Sequence, residues 1–208
     1  MGLNRALVRL CFYVVVLCIA TVPDIAMAHS PIPGIGVFYS GALHPLRVAE
    51  QLLGLLALAL LFGQTGMRES IHSLVAFFVG LMVGLPLLIY GPAETGRVSE
   101  TLLLVAAGGI GIWVATARKM MPSARFFLAM LVAGAVVADS VQEGIPQEKF
   151  LLATLGVLAG ASVLVLNLGV IVEELKPQWA RIGVRVAGSW IAAASLMVLA
   201  LKLRAIQG

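Results

Sequence analysis

The sequence predicts an all-α polytopic membrane protein: a six-helix up-down transmembrane bundle behind a cleavable signal peptide. Three observations carry this. Of the 208 residues, 61 % are hydrophobic and 12 % are charged, with a mean hydropathy of +1.04, whereas a soluble domain carries about 25 % charged residues. From residue 45 onward the apolar residues fall into six runs, each near the ~20 residues that a hydrocarbon core of ~30 Å requires. A separate, shorter apolar run at the N-terminus ends in small residues. Residues 1–28 are therefore read as the signal peptide and residues 29–208 as the six-helix transmembrane domain.

The leader has Arg5 and Arg9, then the apolar CFYVVVLCIA, then Pro23 and the triplet Ala26-Met27-Ala28, the layout of a secretory signal peptide. Cleavage after Ala28 makes His29 the mature N-terminus and places it outside the cytoplasm. Both cysteines, Cys11 and Cys18, lie in the leader, so residues 29–208 offer neither a disulfide nor a thiolate ligand. Residues 30–43 are rich in Pro and Gly, so no regular helix is expected before His44-Pro45. Pro45 suits a first helical turn, where its missing N–H costs nothing.

The six spans are read as roughly 45–63, 71–90, 98–117, 124–142, 149–172 and 180–202. Their short polar connections make sequential helices antiparallel, hence an up-down bundle. With the mature N-terminus outside, the cytoplasmic connections hold Arg68, then Arg118, Lys119 and Arg125, then Lys176 and Arg181. External ones hold Arg97 and Lys149, accompanied by Glu94, Glu143 and Glu148. This is the positive-inside bias of a multi-pass protein of the cell's inner membrane. Lys202 and Arg204, at the external end of the last span, go against it. The charge of +4 and pI near 9.4 come from scattered residues rather than one basic stripe, so orientation in a bilayer explains them and nucleic acid does not. Gly80-x-x-x-Gly84 and Gly156-x-x-x-Gly160 are spacings that let helix backbones approach closely.

Few residues are placed for chemistry. Glu50, near the start of the first span, costs roughly 3 kcal/mol or more if it faces lipid as an anion, so it is expected to face the bundle interior. Arg47, three residues before it, is its nearest candidate partner. On a straight helix Gln51 stands nearly under His44, about two turns and ~10 Å away. That is too far for both to hold one ion unless the His44-Pro45 end is non-helical. A mature His29 brings an α-amine and an imidazole together, and with His44 supplies nitrogen that suits Ni²⁺ or Cu²⁺. Asp139 and Glu143, four residues apart at the end of the fourth span, share a helix face. His72 reads as an interfacial residue, and Asn167 as an interhelical hydrogen-bonding group. There is no nucleophile–base set, Gly-rich phosphate loop or soluble cofactor domain, which points away from an enzyme.

The chain resembles the hydrogenase/urease accessory membrane proteins of the HupE/UreJ type over essentially the whole mature sequence. The resemblance rests on a leader ending at a histidine, GALHPLRVAEQLLGLLALAL at the first span, PAETGRVSETLLLV at the third and ADSVQEGIP at the end of the fourth. It implies a nickel permease, with cobalt as an alternative ion, or a metal-binding accessory protein that supplies a metalloenzyme or docks on a larger membrane complex. The family's first-span motif is His, five residues, then Asp-His; here His44 is kept and Glu50-Gln51 replaces the pair. In the later His-Gly motif, Asp139 and Glu143 stand where the family has histidines. The implied metal set is His29, His44, Glu50, Gln51, Asp139 and Glu143. Carboxylates in place of imidazoles shift such a site toward harder ions. Two other readings stay open: a non-transporting scaffold whose family site has become packing, and a proton-coupled or solute channel using Glu50 and Asp139.

Overall fold

The structure, a computed structural model, describes residues 34–92, 94–140 and 145–207. The described residues form seven α-helices and no strand: α1 Val37–Arg47, α2 Ala49–Thr65, α3 Ile71–Tyr90, α4 Thr95–Thr116, α5 Pro122–Ala138, α6 Phe150–Glu174 and α7 Gln178–Gln207, with a 3₁₀ turn at Gln147–Lys149 before α6. Their ends follow local chemistry. Gly66 stops α2 at φ 106, a value that favours glycine. Pro122 opens α5 at a position where no N–H is needed. The five expected segments after the first each fall on a helix, α3 to α7, with α5 ending at Ala138, short of the expected 142.

The first span differs from expectation. A helix does precede it: α1 runs through Gly41 and contains Pro45, and the chain turns by 77° into α2 across Val48, whose φ and ψ of −94° and 113° are extended. Tertiary packing overrides the Pro/Gly composition here. A side chain on Gly41 would run into the backbone of Ala153, and one on Gly156 or Gly160 into the backbone of α1 at Phe38 and Ala42. α1 and the first half of α6 therefore press backbone to backbone, a contact open only to small residues. Pro45, in the last turn of α1, removes a donor and crowds the carbonyl four residues earlier, and α1 ends two residues later. Signals in the Pro/Gly segment do appear just upstream, where Gly34 and Gly36 take φ of 93° and 79°.

α2 is the hub. It is apolar all round, the pattern of a helix with no solvent face, and Leu55, Ala57, Leu58, Ala59, Leu61 and Phe62 are all buried. It packs on α6, α4, α7 and α5. The heaviest pairings around it are α3 with α5, α4 with α7, and α1 with α6, none of them sequential. Gly80 meets Met130 and Gly84 meets Gly134, so numbers rise together and α3 runs parallel to α5, in direct contact with it. Gly111 meets Gly188 and Ala192, while Gly108 meets Ser195, so α4 and α7 are antiparallel. Both GxxxG spacings thus lie in close helix crossings.

The outward faces are apolar as well: Val75, Phe78, Met82 and Val83 on α3, and Trp190, Met197 and Leu201 on α7, are all exposed. Such a surface suits lipid, where backbone groups are already satisfied within helices. Among the described residues four helices (α3, α4, the segment of α6 with its 3₁₀ turn, and α7) are long and apolar enough to cross a membrane, and the bent α1–α2 pair makes a fifth. α5 is apolar but has 17 residues. At its start the buried Arg125 donates to Ser73 Oγ at 3.3 Å and to the Glu69 carbonyl at 2.9 Å, tying α5 to α3.

Candidate functional site

Polar side chains from four helices gather at one end of the bundle. Glu50 sits in the first turn of α2, where the positive end of the helix dipole favours an anion. The Lys202 ammonium, near the end of α7, donates to Glu50 Oε1 at 2.7 Å and to Glu100 Oε2, in the second turn of α4, at 2.5 Å. The Glu50 side chain is only 12 % exposed, against 33 % for Glu100 and 36 % for Lys202. One cation thus bridges two carboxylates from helices that are far apart in sequence.

The next residue extends the cluster into the interior. Gln51 is fully buried, and its Nε2 donates to Asp139 Oδ2 at 2.8 Å, with Ser140 Oγ at 3.5 Å. Asp139 caps the C-terminus of α5, and Ser140 donates to the Val136 carbonyl at 2.5 Å. The carboxylate dictates the amide orientation, because only the NH₂ end of Gln51 can donate to it. Gln51 Oε1 then lies buried without a hydrogen-bond partner among the described residues. A buried acceptor without a donor costs about 1–3 kcal/mol, so this oxygen is a position where a donor or a cation is favoured.

The residues singled out from the sequence are distributed as follows. Glu50, Gln51 and Asp139 come together in this cluster. His44 is buried on α1, on the far side of the break at Val48, so the straight-helix spacing to Gln51 does not apply. His29 and Glu143 lie outside the described residues. The partner that the structure supplies to Glu50 is Lys202, 152 positions away, where the sequence pointed to Arg47. His72 is exposed at the other end of the bundle. Asn167 bonds within its own helix, to the Val163 carbonyl at 2.8 Å, not across helices. Among the described residues no three His, Cys, Asp or Glu side chains stand as a ready metal cage; the cluster is instead a set of oxygen donors with an ammonium among them.

Sequence reasoning missed Glu100, Ser140 and the role of Lys202. For Lys202 there was a signal: on the expected topology a lysine there goes against the positive-inside pattern. The structure gives it two carboxylate partners.

The fold and this cluster define a polytopic helical membrane protein with a charged cluster, Glu50, Glu100 and Lys202, at one end of the bundle. Comparison supplies the family: the model described as HupE / UreJ protein matches residues 16–198, and the chain belongs to that family, which is associated with accessory and transport roles toward nickel and cobalt for hydrogenase and urease. No curated protein and no solved structure matches the chain.

Proposed function

We propose that the protein is a permease for a divalent transition metal of the nickel type in the inner membrane. In this reading the chain spans the bilayer six times after cleavage at Ala28, and the Glu50 end faces outward. The observation that carries it is the meeting of Gln51 with Asp139 at 2.8 Å. It joins the two segments whose family counterparts hold the metal motifs, beside a carboxylate pair that already holds a cation. Glu50, Glu100 and Asp139 offer oxygen ligands and Gln51 Oε1 an open acceptor, while His44 and the terminal His29 offer imidazole nitrogen, the better match to nickel. The ion is cargo, so each ligand is asked to bind weakly enough to release it.

A second reading has a specific observation behind it. Lys202 compensates both Glu50 and Glu100, so this end of the bundle is internally paired, as a non-transporting accessory or scaffold subunit would be. The two readings separate in a single variant, Glu50→Gln, assayed for nickel accumulation in cells and for thermal stability after detergent extraction. A permease loses most of its metal accumulation and stays folded. Unchanged metal with lowered stability sinks the permease and leaves the scaffold.

A further inference from the structure

At the end of the bundle opposite Glu50, a cavity of about 450 Å³ opens between the ends of α2, α4 and α6 and the first two turns of α7, a volume in the range of small-ligand sites, about 300–1,000 Å³. Lys176, Arg181 and Arg185 line it, with Glu173 as the acid in the wall. Among the described residues none of the three cations makes an ion pair. Arg185 is instead fixed by donating its Nε to the Ala115 carbonyl at 2.9 Å, and Lys176 donates to the backbone carbonyl of Glu173 at 3.0 Å. Neutral backbone acceptors orient these groups without cancelling their charge, so the cavity keeps a net positive wall.

We propose that this cavity binds a phosphate group, and that the phosphate belongs to an anionic phospholipid. Guanidinium groups match phosphate oxygens in a planar, two-pronged geometry, and Arg181 and Arg185 stand one turn apart on α7, where both reach one ligand. The lipid assignment comes from the surroundings. Ile182 lines the cavity and is exposed on the same helix as Val186, and Trp179 beside the mouth is 76 % exposed. An apolar strip thus leads from the cationic cavity along the lipid-facing side of α7, the arrangement an acyl chain follows when its headgroup is held. Basic pockets between helices on the cytoplasmic side recognise anionic headgroups in this way. That side is the one on which the proposed topology places this end, but phosphate recognition itself does not depend on the topology.

The test is native mass spectrometry and thermal unfolding of the full chain with vesicle-derived phosphatidylglycerol, phosphatidylcholine or inorganic phosphate. The wild type retains phosphatidylglycerol over phosphatidylcholine, and Arg181→Gln/Arg185→Gln lowers that retention by about thirtyfold, the sum expected for two basic groups near a membrane surface. Arg118→Gln/Lys119→Gln removes two charges from the same end but outside the cavity, and retains the preference. Equal retention of phosphatidylglycerol by the Arg181/Arg185 variant overturns the proposal, as does an equal loss in the Arg118/Lys119 variant, which makes the effect one of general charge. Stabilisation by inorganic phosphate alone, matching that by the lipid and lost in the Arg181/Arg185 variant, overturns the lipid assignment and makes free anion the ligand.

Discussion

Removing the bridging ammonium is the most informative single change at the Glu50 end. Lys202→Met keeps the length and apolar stem of the side chain and deletes only the charge, so any effect belongs to the two ion pairs. Breaking a buried pair costs about 3–5 kcal/mol, whereas an exposed pair is worth about 0–1 kcal/mol. Glu50, 12 % exposed, stands near the first limit, and Glu100 and Lys202, both about one-third exposed, stand nearer the second. A net loss of about 2–4 kcal/mol is therefore expected, which for a chain of this length lowers the unfolding midpoint by roughly 5–15 °C. The assay is thermal unfolding of the purified protein in detergent. Most of the loss should return in Lys202→Met/Glu50→Gln, where the deepest carboxylate is neutral and needs no counter-ion. Glu100→Gln alone should cost less than Glu50→Gln, because Glu100 is better hydrated. A Lys202→Met midpoint within about 2 °C of wild type, or a double variant no more stable than the single, would refute the bridging role.

Other outcomes follow from particular contacts. Gly156→Leu places a side chain into the backbone of Phe38 and Ala42, which cannot yield as a flexible side chain would; overpacking of about 1–3 kcal/mol or more should cut the yield of folded protein, read by size-exclusion of the detergent extract. Gln51→Leu removes the amide on Asp139 and leaves that carboxylate short of a donor, for a loss of about 1–3 kcal/mol in the same unfolding assay. Asn167→Leu, by contrast, should stay within about 0.5 kcal/mol of wild type, since its amide serves only its own helix. For orientation, a cysteine at the exposed Ser123 should be labelled from the cytoplasmic side only, and labelling from outside would reverse the topology.

The positions of α3, α4, α6 and α7 were legible because a run of apolar residues long enough to cross a bilayer is a strong local signal, and α5 because its run, though shorter, is continuously apolar. α1 was not legible, since Gly41 and Pro45 read locally as breakers. Their tolerance depends on Gly156 and Gly160, more than a hundred residues on, which make room for a glycine-rich helix. At the site, Glu50 and Asp139 stood out because acids in apolar segments are costly. That Gln51 reaches Asp139, or that Lys202 bridges Glu50 to Glu100, depends on helix packing around α2, and no spacing along the chain encodes it. Arg47 was the natural partner on helical periodicity alone, but the break at Val48 removes the periodicity that the pairing assumed.

The distance along the chain between Glu50 and Lys202 also bears on how the bundle is made. Synthesis proceeds from the N-terminus, so α2 is produced 152 residues before the lysine that neutralises its acid, and Glu100 also precedes that lysine by 102. Until α7 arrives, neither carboxylate has this counter-ion, and the central helix cannot settle at its final depth. α7 is then the helix that locks α2 in place. Nascent chains arrested before residue 202 should accordingly stay open to proteases at the Glu50 end, and close only when the ammonium is delivered.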